Sequence, residues 1–111
     1  MRKPQARIED MLQAIENIER HAPTDRAAFA QDEVLQVYVV HHLMILGEAA
    51  YKLPESFRTE HPHVPWAAII GMRHILVHDY FRVDIDVAWE VVEDDLSVLK
   101  PQLQRILSKL A

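Results

Sequence analysis

The sequence predicts an all-α fold, a single-domain helical bundle of four or five helices with a long second helix. Half of the residues are hydrophobic, yet only two of the 111 are glycine, which leaves little of the turn chemistry a many-stranded fold requires. Apolar residues recur at three- and four-residue steps, the period of a helix that buries one face. The length suits one domain, residues 1–111, with a single core.

The elements follow in order. Ile8, Met11, Leu12, Ile15 and Ile18 form an apolar stripe with acids and amides between them, predicting an amphipathic helix from Pro4 to Arg20. His21-Ala22-Pro23 ends it. Thr24 or Asp25 can cap the second helix. No breaker follows until Pro54, so this helix is read as running about 28 residues, or roughly 42 Å at about 1.5 Å per residue. Its apolar positions Val34, Val37, Tyr38, Val40, Met44, Ile45 and Leu46 cover more than one face, which predicts burial on two sides and pairing with a second chain. Three prolines between Pro54 and Pro65 leave room for a short helical turn from Glu55 to Glu60. Pro65 opens the next helix, read from Trp66 to His78 with Ile69, Met72, Ile75 and Leu76 as its stripe. Tyr80-Phe81-Arg82-Val83 reads as a connector and Asp84 as a cap, with Ile85, Trp89, Val92 and Leu96 marking the helix after it. Ser97 is placed as the cap of a last short helix through Leu110, which Pro101 tolerates in its first turn.

Composition excludes several function classes. Without cysteine there is no disulfide framework and no thiolate metal site. The basic start Met1 to Arg7 is not followed by an unbroken apolar run, so it does not read as a signal peptide, and a cytoplasmic protein is expected. The most apolar stretch, Val34 to Leu53, contains Gln36, His41, His42 and Glu48; each is costly in lipid, so a buried helix is expected and no membrane span. A net charge of −5, with seven acids against the single base Arg82 between Asp79 and Asp95, argues against a general RNA-binding surface. Any RNA groove must then be local, built from Arg73 and the histidines, with Arg7, Arg2, Lys3 or Arg58 as further candidates. The acidic run reads as a solvated face or as a docking surface for a partner.

The chemistry is concentrated in Gly71-Met72-Arg73-His74-Ile75-Leu76-Val77-His78-Asp79-Tyr80-Phe81. RNA transesterification needs a base for the 2′-hydroxyl, an acid for the leaving 5′-oxygen and a cation beside the phosphorus. Histidine suits the first two tasks and arginine, whose fork matches phosphate, the third. Arg73 and His78 supply one of each. On an unbroken helix they would stand roughly 140° apart, so either the helix loosens before His78 or a second chain brings its His78 to this Arg73. The bland alternative is that both are ordinary ion-pair partners near a helix end. His74 and His78 stand four apart, a spacing that suits a metal, but the glutamate of a metalloprotease motif is missing. No metal and no cofactor are therefore expected.

The spacing of Arg73, His78 and Tyr80 resembles the signature of the HEPN superfamily, and the surrounding phrases Gly47-Glu48-Ala49-Ala50, Val64-Pro65-Trp66 and Asp94-Asp95-Leu96 resemble its HepT-like ribonuclease toxins. The resemblance implies a homodimer whose cleft is lined by Arg73 and His78 of both chains, an RNA substrate, and a minimal nucleotidyltransferase antitoxin that transfers AMP to Tyr80. Many relatives carry a small polar residue where His74 stands here, which leaves open whether His74 joins the site, tunes it or only packs. Without the resemblance, Tyr80 reads as a core aromatic at a helix end. Gly47 and Gly71, each costing about 1 kcal/mol inside a helix, predict that the second helix crosses the motif helix closely. Glu48 would then lie near Arg73 and orient it; the alternative is a solvated glutamate. The functional expectation is a metal-independent endoribonuclease toxin, and the alternative is a non-catalytic nucleotide-binding or scaffold partner of a nucleotidyltransferase.

Overall fold

A computed structural model describes residues 3–22, 25–72, 77–78 and 82–110 of the chain, and they form an all-α fold. Helix α1 spans Pro4–His21, with proline in its first turn and Arg20 and His21 in its last, where the missing N–H costs nothing and the positive charge meets the negative helix end. It buries Ile8, Met11, Leu12, Ala14, Ile15 and Ile18, the stripe its spacing predicts. Ala22 leaves the helix in an extended conformation, as expected of a residue before proline.

The long second helix is broken. Helix α2 covers Arg26–Gln31 and α3 covers Glu33–Lys52, with Asp32 between them at φ −111° and ψ 89°. Asp32 serves both ends: its N–H donates to the Phe29 carbonyl, and its carboxylate accepts from the Leu35 N–H at 3.0 Å. The buried Gln36 amide donates to the carbonyls of Phe29 and Ala30, both at 3.0 Å. An aspartate that can hydrogen-bond the backbone outside the helix thus ends it without glycine or proline. Asp25 caps α2 through the Ala28 N–H at 2.8 Å.

Helix α3 is long and apolar enough to cross a membrane by length and composition, yet it lies along α1 in the bundle and buries Val39, Leu43, Leu46 and Ala50 in the core. Burial on two sides is not met within one chain. Val34, Val37, Met44 and Tyr51 remain exposed, Val34 to 81%.

Helix α4 is Glu55–Glu60, with the bounds the prolines predict, and α5 is Trp66–Ile70. The Trp66 indole donates to the His61 carbonyl at 2.9 Å, fixing the loop between them. The predicted helix to His78 stops short, because Val77–His78 is extended (β1) and pairs antiparallel with Arg82–Val83 (β2), His78 opposite Arg82. Val77 stands opposite Val83 in this register, and β-branched residues favour the extended backbone.

Asp84 caps α6, Ile85–Glu90, by accepting from the Val87 N–H at 3.1 Å. The helix then passes through one π turn, Val91–Asp95, into α7, Leu96–Leu110. Ser97 is therefore no cap: its hydroxyl donates to the Asp94 carbonyl inside a continuous helix. The buried positions Ala88, Val91, Leu96, Leu99, Leu103 and Ile106 show why. The step from Val91 to Leu96 is five residues, and a π turn absorbs the extra one so that the stripe stays on one face. Pro101 lies within α7 on its exposed side. Phe29 of α2 stacks on Trp89 of α6 at 5.6 Å, and Arg26 pairs with Asp86, tying the N-terminal half to the C-terminal one.

Candidate active site

Helices α3 and α5 cross at Gly47. A Cβ there would lie 2.8 Å from the main-chain oxygen of Ile69, so only glycine permits this approach. The close crossing predicted from the glycines holds at Gly47. Gly71 instead follows the last turn of α5, where its nearest neighbour is the Ala67 carbonyl of that same helix.

Beside the crossing lies a cleft of about 790 Å³. Helix α3 lines it with His41, Met44, Ile45, Gly47, Glu48 and Tyr51, α4 with Arg58, and α5 with Ala67 and Ile70, ending at Gly71. The motif segment sets out from this place at Gly71, which lines the cleft, and β2, which follows the segment, packs against α3.

The structure can be compared with each expected site residue. Arg73, His74 and Tyr80 lie outside the described residues, as does the side chain of His78. The backbone of His78 is described, and it is extended. The helical angle of roughly 140° between Arg73 and His78 therefore does not apply. Glu48 faces the cleft, more than half exposed, with Lys52 one turn away at 3.7 Å, a solvent-screened pair of little weight. Its expected partner Arg73 lies outside the described residues. Of the other basic candidates, Arg58 lines the cleft, whereas Lys3 and Arg7 do not.

Sequence reasoning gave Arg58 little attention, and the structure gives it more. Its Nε is buried and has no hydrogen-bond partner among the described residues. His41 is the second residue to gain attention. Its ring lies 5.1 Å from that of His42, which meets Tyr38 edge-on (4.5 Å), which in turn meets His21 at the end of α1 (5.0 Å). Burial holds the His42 imidazole below the usual histidine range, and the neighbouring His41 and His21 push it the same way. The run His41-His42 in an apolar helix was the available signal. Among the described residues, no three His, Asp or Glu side chains are placed to share a metal ion.

The acidic run predicted as a solvated face is one where it is described: Asp86, Glu90, Glu93, Asp94 and Asp95 are all exposed. Among the described residues the cleft carries one acid, Glu48, against Arg58 and His41.

Comparison with known proteins agrees with the sequence pattern. The family model described as "Ribonuclease HepT-like" matches residues 11–106. A protein of Caldanaerobacter subterraneus subsp. tengcongensis named "Putative RNase" is 39% identical over 98% of each chain. One from Thermococcus cleftensis named "Probable ribonuclease HepT" is 36% identical over 89% of this chain and 91% of its own length. A third, from Methanocaldococcus jannaschii, is named "Gamma-glutamylcyclotransferase and putative RNase"; it is 36% identical over 93% of this chain, which spans 47% of that longer protein. No solved structure matches the chain. With a family model covering most of its length and relatives above one-third identity, the chain belongs to the HepT-like ribonuclease family.

Proposed function

We propose that this protein is the toxin of a type II toxin–antitoxin pair, a metal-independent endoribonuclease of the cytoplasm. The observation that carries the reading is that the motif segment sets out from Gly71, in the wall of a cleft that also holds Arg58 and His41. Arg73 binds the scissile phosphate, with Arg58 as a second cation. His78, as base, takes the proton of the 2′-hydroxyl, whose oxygen attacks phosphorus while the 5′-oxygen leaves with a proton from an acid. The products are a 2′,3′-cyclic phosphate and a free 5′-hydroxyl, with no metal in the step. Two histidines share these roles if two chains meet at the cleft.

A second chain is favoured by the exposed face of α3. Val34, Val37, His41, Met44, Glu48 and Tyr51 succeed one another at alternating steps of three and four, the seam of a helix pair. Val34, Val37, Met44 and Tyr51 are large apolar side chains left in water, and from His41 onward the seam is also a wall of the cleft. Val37→Asp with Met44→Asp is expected to give a folded monomer in sedimentation analysis that no longer cleaves RNA. An unchanged dimer would put the interface elsewhere.

The partner is a minimal nucleotidyltransferase antitoxin. It neutralises the toxin by moving AMP from ATP to the Tyr80 hydroxyl with release of pyrophosphate, which adds a phosphodiester and an adenosine two residues beyond His78 in the chain. The deciding experiment is cleavage of total RNA by the purified protein in EDTA, with product ends and intact protein mass determined. Cyclic phosphate ends are expected. No cleavage by a protein whose mass shows Tyr80 free would favour the alternative, a non-catalytic partner of the nucleotidyltransferase.

A further inference from the structure

The end of α7 meets the loop after α4 across a second, smaller cleft of about 180 Å³, lined by His61, His63, Arg105, Ile106 and Lys109. Four of these side chains carry or can take a positive charge and none is an acid, in a chain whose net charge is −5. Arg105 and Lys109 stand one turn apart on the same side of α7, and no carboxylate among the described residues forms an ion pair with either. The histidine side of the cleft is held by the fold. The His61 carbonyl accepts from the Trp66 indole at 2.9 Å, the His63 carbonyl accepts from the Gln102 amide at 3.2 Å, and the Phe57 ring lies 4.7 Å from that of His61. The two clefts share a wall, because α4 gives Arg58 to the first, and His61, whose N–H donates to the Arg58 carbonyl, belongs to the second.

We propose that this second cleft binds a backbone phosphate of the single-stranded RNA flanking the cleavage position, after the strand has crossed the end of α4 from the first cleft. The proposal takes its ligand from the ribonuclease reading above. It explains how a net acidic protein holds RNA, since a few fixed cations along one path supply the affinity that overall charge does not. Phosphate contacts of this kind position the strand without reading its sequence.

The test is the double charge reversal Arg105→Glu with Lys109→Glu in the full chain, both sites being exposed. Binding of an uncleavable 2′-O-methyl oligouridylate is followed by fluorescence anisotropy over a range of salt. The variant is expected to bind roughly tenfold more weakly at low salt, with the slope of log K against log salt reduced by roughly 0.7, the share of one phosphate. On cleavable RNA its KM is expected to rise while kcat holds. If the reversed pair does not fold, Arg105→Gln with Lys109→Gln reads the same slope. Wild type that cleaves RNA, beside a folded variant of unchanged affinity and salt slope, overturns the subsite. Wild type that binds the oligonucleotide through Arg105 and Lys109 yet never cleaves would keep the subsite and remove the ribonuclease reading. Equal affinity for polyglutamate would overturn the assignment to RNA.

Discussion

His78→Ala and Arg73→Ala should each lower RNA cleavage by roughly 10²–10⁴-fold, the range lost when a positioned acid–base group or a charge-stabilising donor is removed. Both variants should fold. His78 takes part in the β1–β2 ladder through its main chain, opposite Arg82, and alanine keeps that pairing. Arginine is a residue that folds seldom bury, so Arg73 is not expected to anchor the core. Melting curves and cleavage rates measured on the same preparations separate the two effects. Full activity in either folded variant would move the chemistry to other side chains of the cleft, and His41 and Arg58 would be the next to replace.

The second large effect concerns the crossing of α3 and α5. Gly47→Ala improves helix propensity by about 1 kcal/mol, so a reading based on propensity alone expects stabilisation. The structure reverses the sign. The added Cβ would sit 2.8 Å from the Ile69 carbonyl oxygen, a backbone atom that moves only if α5 moves. Overpacking of this kind costs about 1–3 kcal/mol and occasionally more, and a melting temperature lower by roughly 5–10 °C is expected. Because α5 leads directly into the motif, cleavage should fall along with stability. A melting temperature raised by the substitution would show that the helices can separate freely at this point.

Much of this was legible in the residues. The stripe of α1, the brackets around α4, the cap at Asp84 and the close approach at Gly47 each follow from a local rule that tertiary structure did not override. Three features were not legible, for separate physical reasons. Asp32 breaks the long helix by accepting from Leu35 while Gln36, four positions on, covers the freed carbonyls of α2; neither residue is a breaker by type. His78 lies on an extended segment rather than a helix, and the apolar run Ile75-Leu76-Val77 fits either state. The π turn hides in a run of acids whose polarity reads as an ordinary solvated helix. For the site, the motif drew attention to Arg73, His78 and Tyr80, whose side chains lie outside the described residues. Arg58 could not have been ranked above Arg7 from sequence, since its weight comes from a buried nitrogen that only packing reveals.

The π turn at Val91–Asp95 has a bearing on how this chain can vary. Losing one residue there, Glu93 for instance, shortens the step from Val91 to Leu96 to four and converts the turn to ordinary α-helix, with the buried stripe on either side still in phase. The same deletion inside α1 would rotate everything beyond it by about 100° and turn Ile15 and Ile18 away from the core. The helix from Ile85 to Leu110 therefore contains a slack link, a place where the gene can lose a codon while Leu99, Leu103 and Ile106 keep their partners.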